Sequence, residues 1–111
     1  MNQERKVLGY KSYFVDFIRS LKEGEARKIY YVLDMLKTQQ RVHTKFVKYL
    51  RDDLYEIRAE HNSNIFRVFF VFDNGNIVVL FHGFQKKTQK TPQQEIEKAL
   101  RIKEEYYASK E

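Results

Sequence analysis

The segment from residue 65 to residue 84 constrains the fold more than any other part of the chain. Two runs of strand-like composition, 65–73 (IFRVFFVFD) and 76–84 (NIVVLFHGF), flank the dipeptide Asn74-Gly75. Asn-Gly between such runs is typical of a two-residue type I′ turn, because both central residues of that turn need a positive φ. The sequence therefore predicts an antiparallel hairpin at this place.

The turn also predicts a register for the hairpin. If Asp73 faces Asn76, counting back along the two strands places Arg67 directly opposite His82. Alternation then puts the following side chains on one face, which is expected to be the core: Phe66, Val68, Phe70 and Phe72. The other face would hold Ile65, Arg67, Phe69, Val71, Leu80, His82 and Phe84, joined by Glu56 and Arg58. We expect this second face to be a shallow, uncovered surface with cations among aromatic side chains.

The rest of the chain supplies the other elements. A short strand is predicted at 5–10, two helices from the apolar spacing after residue 13 and residue 25, and a further strand at 54–58 (LYEIR). Thr91 as N-cap, Pro92 at the first helical position and Gln94 three residues after the cap predict a last helix. The predicted fold is α+β in the order β-α-α-β-β-β-α, with a helical hairpin on one face of a small antiparallel sheet.

Composition narrows the functional classes. The 111 residues are predicted to form one domain, 1–111, and the formal net charge of +6 favours a polyanionic partner, with nucleic acid as the default. No cysteine is present, and the three histidines lack ligand spacing, so thiolate catalysis and a disulfide are excluded and no metal site is predicted. No segment is apolar enough for a signal peptide or a membrane span, and a cytoplasmic location is the expectation.

Two basic segments are candidate phosphate contacts. Between residues 37 and 51 the charged residues are all basic, namely Lys37, Arg41, Lys45, Lys48 and Arg51. Lys86, Lys87 and Lys90 precede the predicted start of the last helix, where free N–H groups also favour anions. Each segment can also be read as an ordinary solvated stretch. Likewise, Arg67 can be part of a partly buried salt bridge to Glu56, and His82 can be a structural cross-strand histidine.

The strands and the last helix carry a family resemblance. The combination of LYEIR, FRVFF and VVLFHGFQKKTQKTPQQEIEKALRIKEEY, over about residues 54–107, resembles toxins of the RelE/ParE superfamily from type II toxin–antitoxin systems. Within that superfamily it is similar to the HigB-like, phage-derived branch.

The resemblance implies a RelE-like fold and an activity. It implies an endoribonuclease that cuts mRNA in the ribosomal A site and so blocks translation, by attack of the 2′-hydroxyl on the adjacent phosphate without a metal or cofactor. The implied partners are mRNA on the ribosome and a cognate antitoxin, expected to be a helix-turn-helix DNA-binding protein; no membrane is involved.

The resemblance also assigns roles to residues. Arg67 would stabilise the transition state, Arg58 would orient the phosphate, and Lys86 and Lys87 would hold the scissile or a flanking phosphate. Candidates for proton transfer are His82, whose ordinary pKa suits neutral pH, and Tyr106 or Tyr107. The predicted catalytic set is Arg67, His82, Lys87 and Tyr107, and the predicted phosphate-binding set is Arg58, Lys86, Lys90, Lys45 and Lys48.

Two other functions fit the same residues. A ParE-like toxin shares the fold but inhibits DNA gyrase without being an enzyme. A phage-derived RNA- or protein-binding module without toxicity would need only the charge and the fold.

Overall fold

The structure is a computed structural model, and it describes residues 4–86 and 91–110. The elements follow in the order β1 (Lys6–Gly9), α1 (Tyr13–Arg19), α2 (Glu23–Thr38), β2 (Val47–Arg51), β3 (Leu54–His61), β4 (Asn64–Asp73), β5 (Ile77–Lys86) and α3 (Gln93–Ala108). The predicted α+β fold is confirmed. One strand, β2, was not predicted and forms from the end of the basic segment 37–51.

The strands form one sheet in the order β1-β5-β4-β3-β2, antiparallel except for the parallel pair of β1 and β5. Two-residue turns join β2 to β3 at Asp52-Asp53 and β3 to β4 at Asn62-Ser63, and all four residues have positive φ. Short polar side chains tolerate this conformation better than bulky ones do. The second turn extends β3 and β4 beyond their predicted ends, so the residues between the two predicted strands, 59–64, are paired except for the two turn residues.

The predicted register of the β4–β5 hairpin is wrong. Asn74 and Gly75 do have positive φ, but Asp73 pairs with Ile77, so the connection has three residues rather than two. A second shift occurs between Val68 and Phe70, where β5 contains one extra residue. Each shift moves the pairing by one position, and Arg67 therefore lies opposite Phe84 instead of His82.

The helix pair α1–α2 covers the face that the alternation predicted. Phe66, Val68 and Phe70 form a buried cluster with α2 residues such as Ile29 and Val32. Leu80 also belongs to this cluster, whereas the sequence had placed it on the face of Arg67. The three-residue connection explains the error, since it shifts the pairing by one position and so changes the face of each β5 residue between the turn and the bulge.

The opposite face is not an uncovered surface as expected. Ala99 and Ile102 of α3 pack on Phe69, Val71 and Phe81, and the whole cluster is buried. The last helix carries an apolar stripe that includes Ala99 and Ile102, and such a stripe needs an apolar surface to cover. The end of this face near Arg67 and Lys86 is polar, and so is the other end, where Tyr106 donates a hydrogen bond to Asp73. None of the helices in the described ranges combines the length and apolar character needed to cross a membrane.

Candidate anion-binding site

The site is built around one buried carboxylate. Glu56 on β3 has 1% of its surface exposed, and its Oε2 lies 3.3 Å from Nε of Arg67 and 3.6 Å from Nε of Arg58. The β3–β4 register places Arg58 directly opposite Arg67. Like charges in that position repel each other, and the carboxylate between them offsets the repulsion. The salt bridge considered for Arg67 is thus present.

The ion pairs leave the two guanidinium groups incompletely satisfied. The Nε atoms of Arg58 and Arg67 are buried and make no hydrogen bond to another described residue. Burial lowers the pKa of Arg67, and the charge of Arg58 lowers it further, while Glu56 acts in the opposite direction. A guanidinium favours two parallel hydrogen bonds to a carboxylate or phosphate. Arg67 is almost fully buried, so Arg58, with 26% of its side chain exposed, is the member of the pair that can reach a further anion.

Two lysines add to this positive charge. Lys86, at the end of β5, is 5% exposed, and its pKa falls to about 8 because of burial first and then the charge of Arg67, with smaller effects of Arg58 and Lys48. Lys48 lies on β2, opposite Glu56 in the β2–β3 register, and is exposed. Within the described ranges, four cations thus lie around the Glu56 carboxylate, and the adjoining cleft is lined by one further carboxylate, Glu60. Such an imbalance favours a bound anion.

Thr91 closes the site from the side of α3. Its Oγ1 donates a hydrogen bond of 2.8 Å to Oε1 of Glu56. The sequence predicted Thr91 as the N-cap of the last helix, but the N-cap is Pro92, and no side chain caps this end. A hydrogen bond to a charged acceptor is stronger than one between neutral groups, so the Thr91 hydroxyl stabilises the buried Glu56 carboxylate.

A cleft of about 570 Å³ opens beside the two arginines. Its wall includes Lys45, a predicted phosphate contact, whose Nζ lies 5.5 Å from the centre of the Phe46 ring. Two α2 residues that the sequence did not suggest, Lys28 and Tyr31, also line it. Their spacing of three puts them on one side of the helix. No local sequence pattern shows that this side of α2 faces the arginines of β3 and β4.

The comparison with protein families agrees with this architecture. A family model described as phage-derived protein Gp49-like (DUF891) matches residues 16–104, most of the chain. The chain belongs to the Gp49-like family. This is a family of RelE/ParE-like toxins. A search of the curated proteins finds no match to the chain.

In this Gp49-like protein, His82 lies away from the cationic cluster. Its Nε2 is 3.2 Å from the Glu95 carboxylate of α3, and its ring is 5.0 Å from that of Phe69. Burial lowers the pKa of His82 more than the hydrogen bond to Glu95 raises it. The Nδ1 atom is buried and makes no hydrogen bond to a described residue. These contacts favour a structural role between β5 and α3.

Tyr107 of the Gp49-like chain lies toward the other end of the sheet. It lines a separate, smaller cleft with Phe72 and Asp53, and burial raises its pKa. Phe72 is five positions from Arg67 on β4, which corresponds to about 17 Å along a strand. The neighbouring Tyr106 donates a hydrogen bond of 2.6 Å to Asp73. The structure therefore does not bring Tyr107 to Arg67.

The predicted site residues thus separate into groups. The structure brings together Arg58, Arg67, Lys86 and Lys48, with Lys45 at the adjoining cleft. Lys87 and Lys90 lie outside the described residues, so their predicted roles stay predictions. In the ranges 4–86 and 91–110, no three His, Asp or Glu side chains converge as metal ligands would.

Proposed function

We propose that this protein is the HigB-like toxin of a type II toxin–antitoxin system and that it cleaves mRNA on the ribosome. The observation that carries the proposal is the pair Arg58 and Arg67 in the wall of an open cleft, where Arg58 keeps 26% of its side chain exposed. Membership of a RelE/ParE-like toxin family supports the same function.

The cluster suits an RNA phosphate. Arg67 is fixed by its ion pair with Glu56, whereas Arg58 keeps about a quarter of its side chain exposed and can meet a ligand in the cleft. A phosphodiester offers oxygen acceptors in the geometry that guanidinium groups prefer. We expect the scissile phosphate to bind between Arg58 and Lys86. Lys48 and Lys45 are expected to contact the neighbouring phosphates of the RNA.

The proposed chemistry needs charge stabilisation more than any other effect. As the 2′-hydroxyl gives up its proton to solvent water and its oxygen bonds to phosphorus, negative charge builds up on the phosphorane, and the fixed cations lower its energy. The bond from phosphorus to the 5′-oxygen then breaks, and that oxygen takes up a proton. Lys86, with a pKa of about 8, is still protonated at neutral pH and suits the role of this acid.

The proposed partner is an antitoxin that covers the cationic cleft with an acidic segment. Complementary charge is the usual way in which such surfaces attract a protein partner. Co-purification with the product of the adjacent open reading frame tests this. Arg58→Glu and Lys45→Glu are expected to weaken the complex, and an unchanged complex would show that the antitoxin binds elsewhere.

Expression in growing cells tests the activity. Wild-type protein is expected to stop growth and to produce cuts in translated messages, mapped by primer extension. Arg58→Ala is expected to relieve both effects, while Arg101→Ala, which removes the same charge from an exposed position on α3, should not. Growth arrest with intact messages and accumulating DNA breaks would instead indicate gyrase inhibition.

A further inference from the structure

The cleft beside the cationic cluster of Arg58, Arg67, Lys86 and Lys48 is also lined by an aromatic side chain, that of Tyr31. We propose that Tyr31 stacks on an RNA base next to the bound phosphate and that Lys28 contacts the flanking backbone. This inference rests on the proposed function, since it names the part of the site that would hold the neighbouring nucleotide.

The position of Tyr31 sets it apart from an ordinary surface tyrosine. It is 57% exposed and lines the cleft that also contains Arg58 and Arg67. Tyr30, the preceding residue, is 51% exposed, but its ring contacts the edge of Phe14 and it does not line the cleft. Successive residues on a helix point about 100° apart. Only one of the two tyrosines can therefore face the arginines.

Lys28 extends this wall by one helical turn. It lies three positions before Tyr31 on α2, is exposed and lines the same cleft. The combination of an exposed aromatic ring with neighbouring cations is the usual platform for single-stranded nucleic acid, because the ring stacks on a base while the cations hold the backbone.

The lining of the cleft also includes polar groups. Asn62 and Ser63, in the β3–β4 turn, line it with side chains that are exposed. An Asn amide provides both donors and an acceptor and can therefore bond to a base edge. The cleft volume of about 570 Å³ lies within the usual range of about 300–1,000 Å³ for small-ligand sites. The cleft thus offers Arg58 for a phosphate, the Tyr31 ring for the face of a base and the Asn62 amide for the edge of a base.

The test is binding of a fluorescent single-stranded RNA decamer, followed by anisotropy at low salt. Base–aromatic stacking is strong enough that Tyr31→Ala should weaken binding about fivefold or more. Tyr31→Phe, which keeps the ring, and Tyr30→Ala, which removes an equally exposed ring outside the cleft, should bind as the wild type does. Tyr31→Ala should fold, because the position is exposed and Ala favours helices.

Salt dependence and modified RNA separate stacking from charge. Tyr31→Ala should leave the slope of log affinity against log salt unchanged, whereas Lys28→Ala should reduce it by about 0.7. A decamer of abasic nucleotides should bind wild type more weakly than the normal decamer does. The abasic decamer should bind Tyr31→Ala and wild type equally well, since it has no base to stack on the ring.

The outcomes distinguish this inference from the proposed function. If RNA binding depends on Arg58 but Tyr31→Ala binds like wild type, the stacking role is overturned and the proposed function stands. If wild type binds no RNA at low salt, the stacking role is overturned, whereas the proposed function is still decided by cleavage of messages on the ribosome. Loss of binding in Tyr31→Ala and Tyr30→Ala alike would also contradict the inference, since it would indicate a general effect on α2.

Discussion

The carboxylate of Glu56 lies 3.3 Å from Nε of Arg67, with only 1% of the glutamate side chain and 3% of the arginine side chain exposed. The pair joins the centre of β3 to β4 beneath the cleft. Because Arg58, Lys48 and Lys86 also act on this carboxylate or on each other, Glu56 is the group that makes a cluster of cations compatible with a folded sheet.

Removal of the carboxylate should therefore destabilise the fold. Breaking a buried ion pair by removal of one partner typically costs about 3–5 kcal/mol, and we expect a loss of this size for Glu56→Ala in urea unfolding. Glu60→Ala, at an exposed position on the same strand, should change the free energy of unfolding by less than about 0.5 kcal/mol. Equal effects of the two substitutions would contradict the central role of Glu56.

The hydrogen bond from Thr91 to Glu56 should be measurable as a coupling. Thr91→Val removes the hydroxyl and should cost about 1.5–3 kcal/mol, the usual value for a hydrogen bond to a charged group, whereas Thr91→Ser should retain most of it. In a double-mutant cycle with Glu56→Gln the two losses should not add. Strict additivity would indicate that the hydroxyl acts as a helix cap instead.

Lys86 should make stability depend on pH in the alkaline range. Its pKa is about 8 in the folded protein and 10.5 ordinarily. Between these values the unfolded chain binds more protons than the native state does, so the free energy of unfolding should rise with pH. The rise, at most about 1.4 kcal/mol per pH unit, should appear when wild type is compared with Lys86→Met. A constant difference from pH 7 to pH 10.5 would contradict burial of a charged Lys86.

Tyr107 provides a test of where the reaction takes place. The family resemblance suggested Tyr107 as a catalytic residue, but it lies beside Phe72 and Asp53, far along the sheet from Arg67. We therefore expect Tyr107→Phe to arrest growth as wild type does, measured in the same expression experiment as Arg58→Ala. Loss of toxicity in a Tyr107→Phe protein with normal thermal unfolding would mean that the active site includes this end of the molecule.

The sequence predicted the parts of the fold that depend on local pattern. The positive φ values at Asn74 and Gly75, the core face of β4 and the apolar stripe of α3 all follow from residue type and spacing. The register of β5 does not, because its bulge and its three-residue connection depend on how both faces of the sheet pack. The strand β2 was missed because its side chains do not alternate in polarity and it pairs only at one edge.

The candidate site was predictable to a similar extent. Arg58, Arg67 and Glu56 share a face because alternation requires it, and the structure agrees. The position of His82 followed from the wrong register and was lost with it. Lys28 and Tyr31 join the cleft only through the packing of α2 on the sheet, which brings together residues about thirty positions apart in the chain.

The most direct test uses purified ribosomes translating a defined message, with purified protein added. The account predicts cleavage of the ribosome-bound message that leaves a 2′,3′-cyclic phosphate, because the 2′-hydroxyl is the nucleophile. Arg58→Ala should reduce the cleavage rate at least a hundredfold, in line with the loss of one transition-state donor, while Arg101→Ala should cleave normally. An intact message with wild-type protein, or equal cleavage by Arg58→Ala and wild type, would contradict the account.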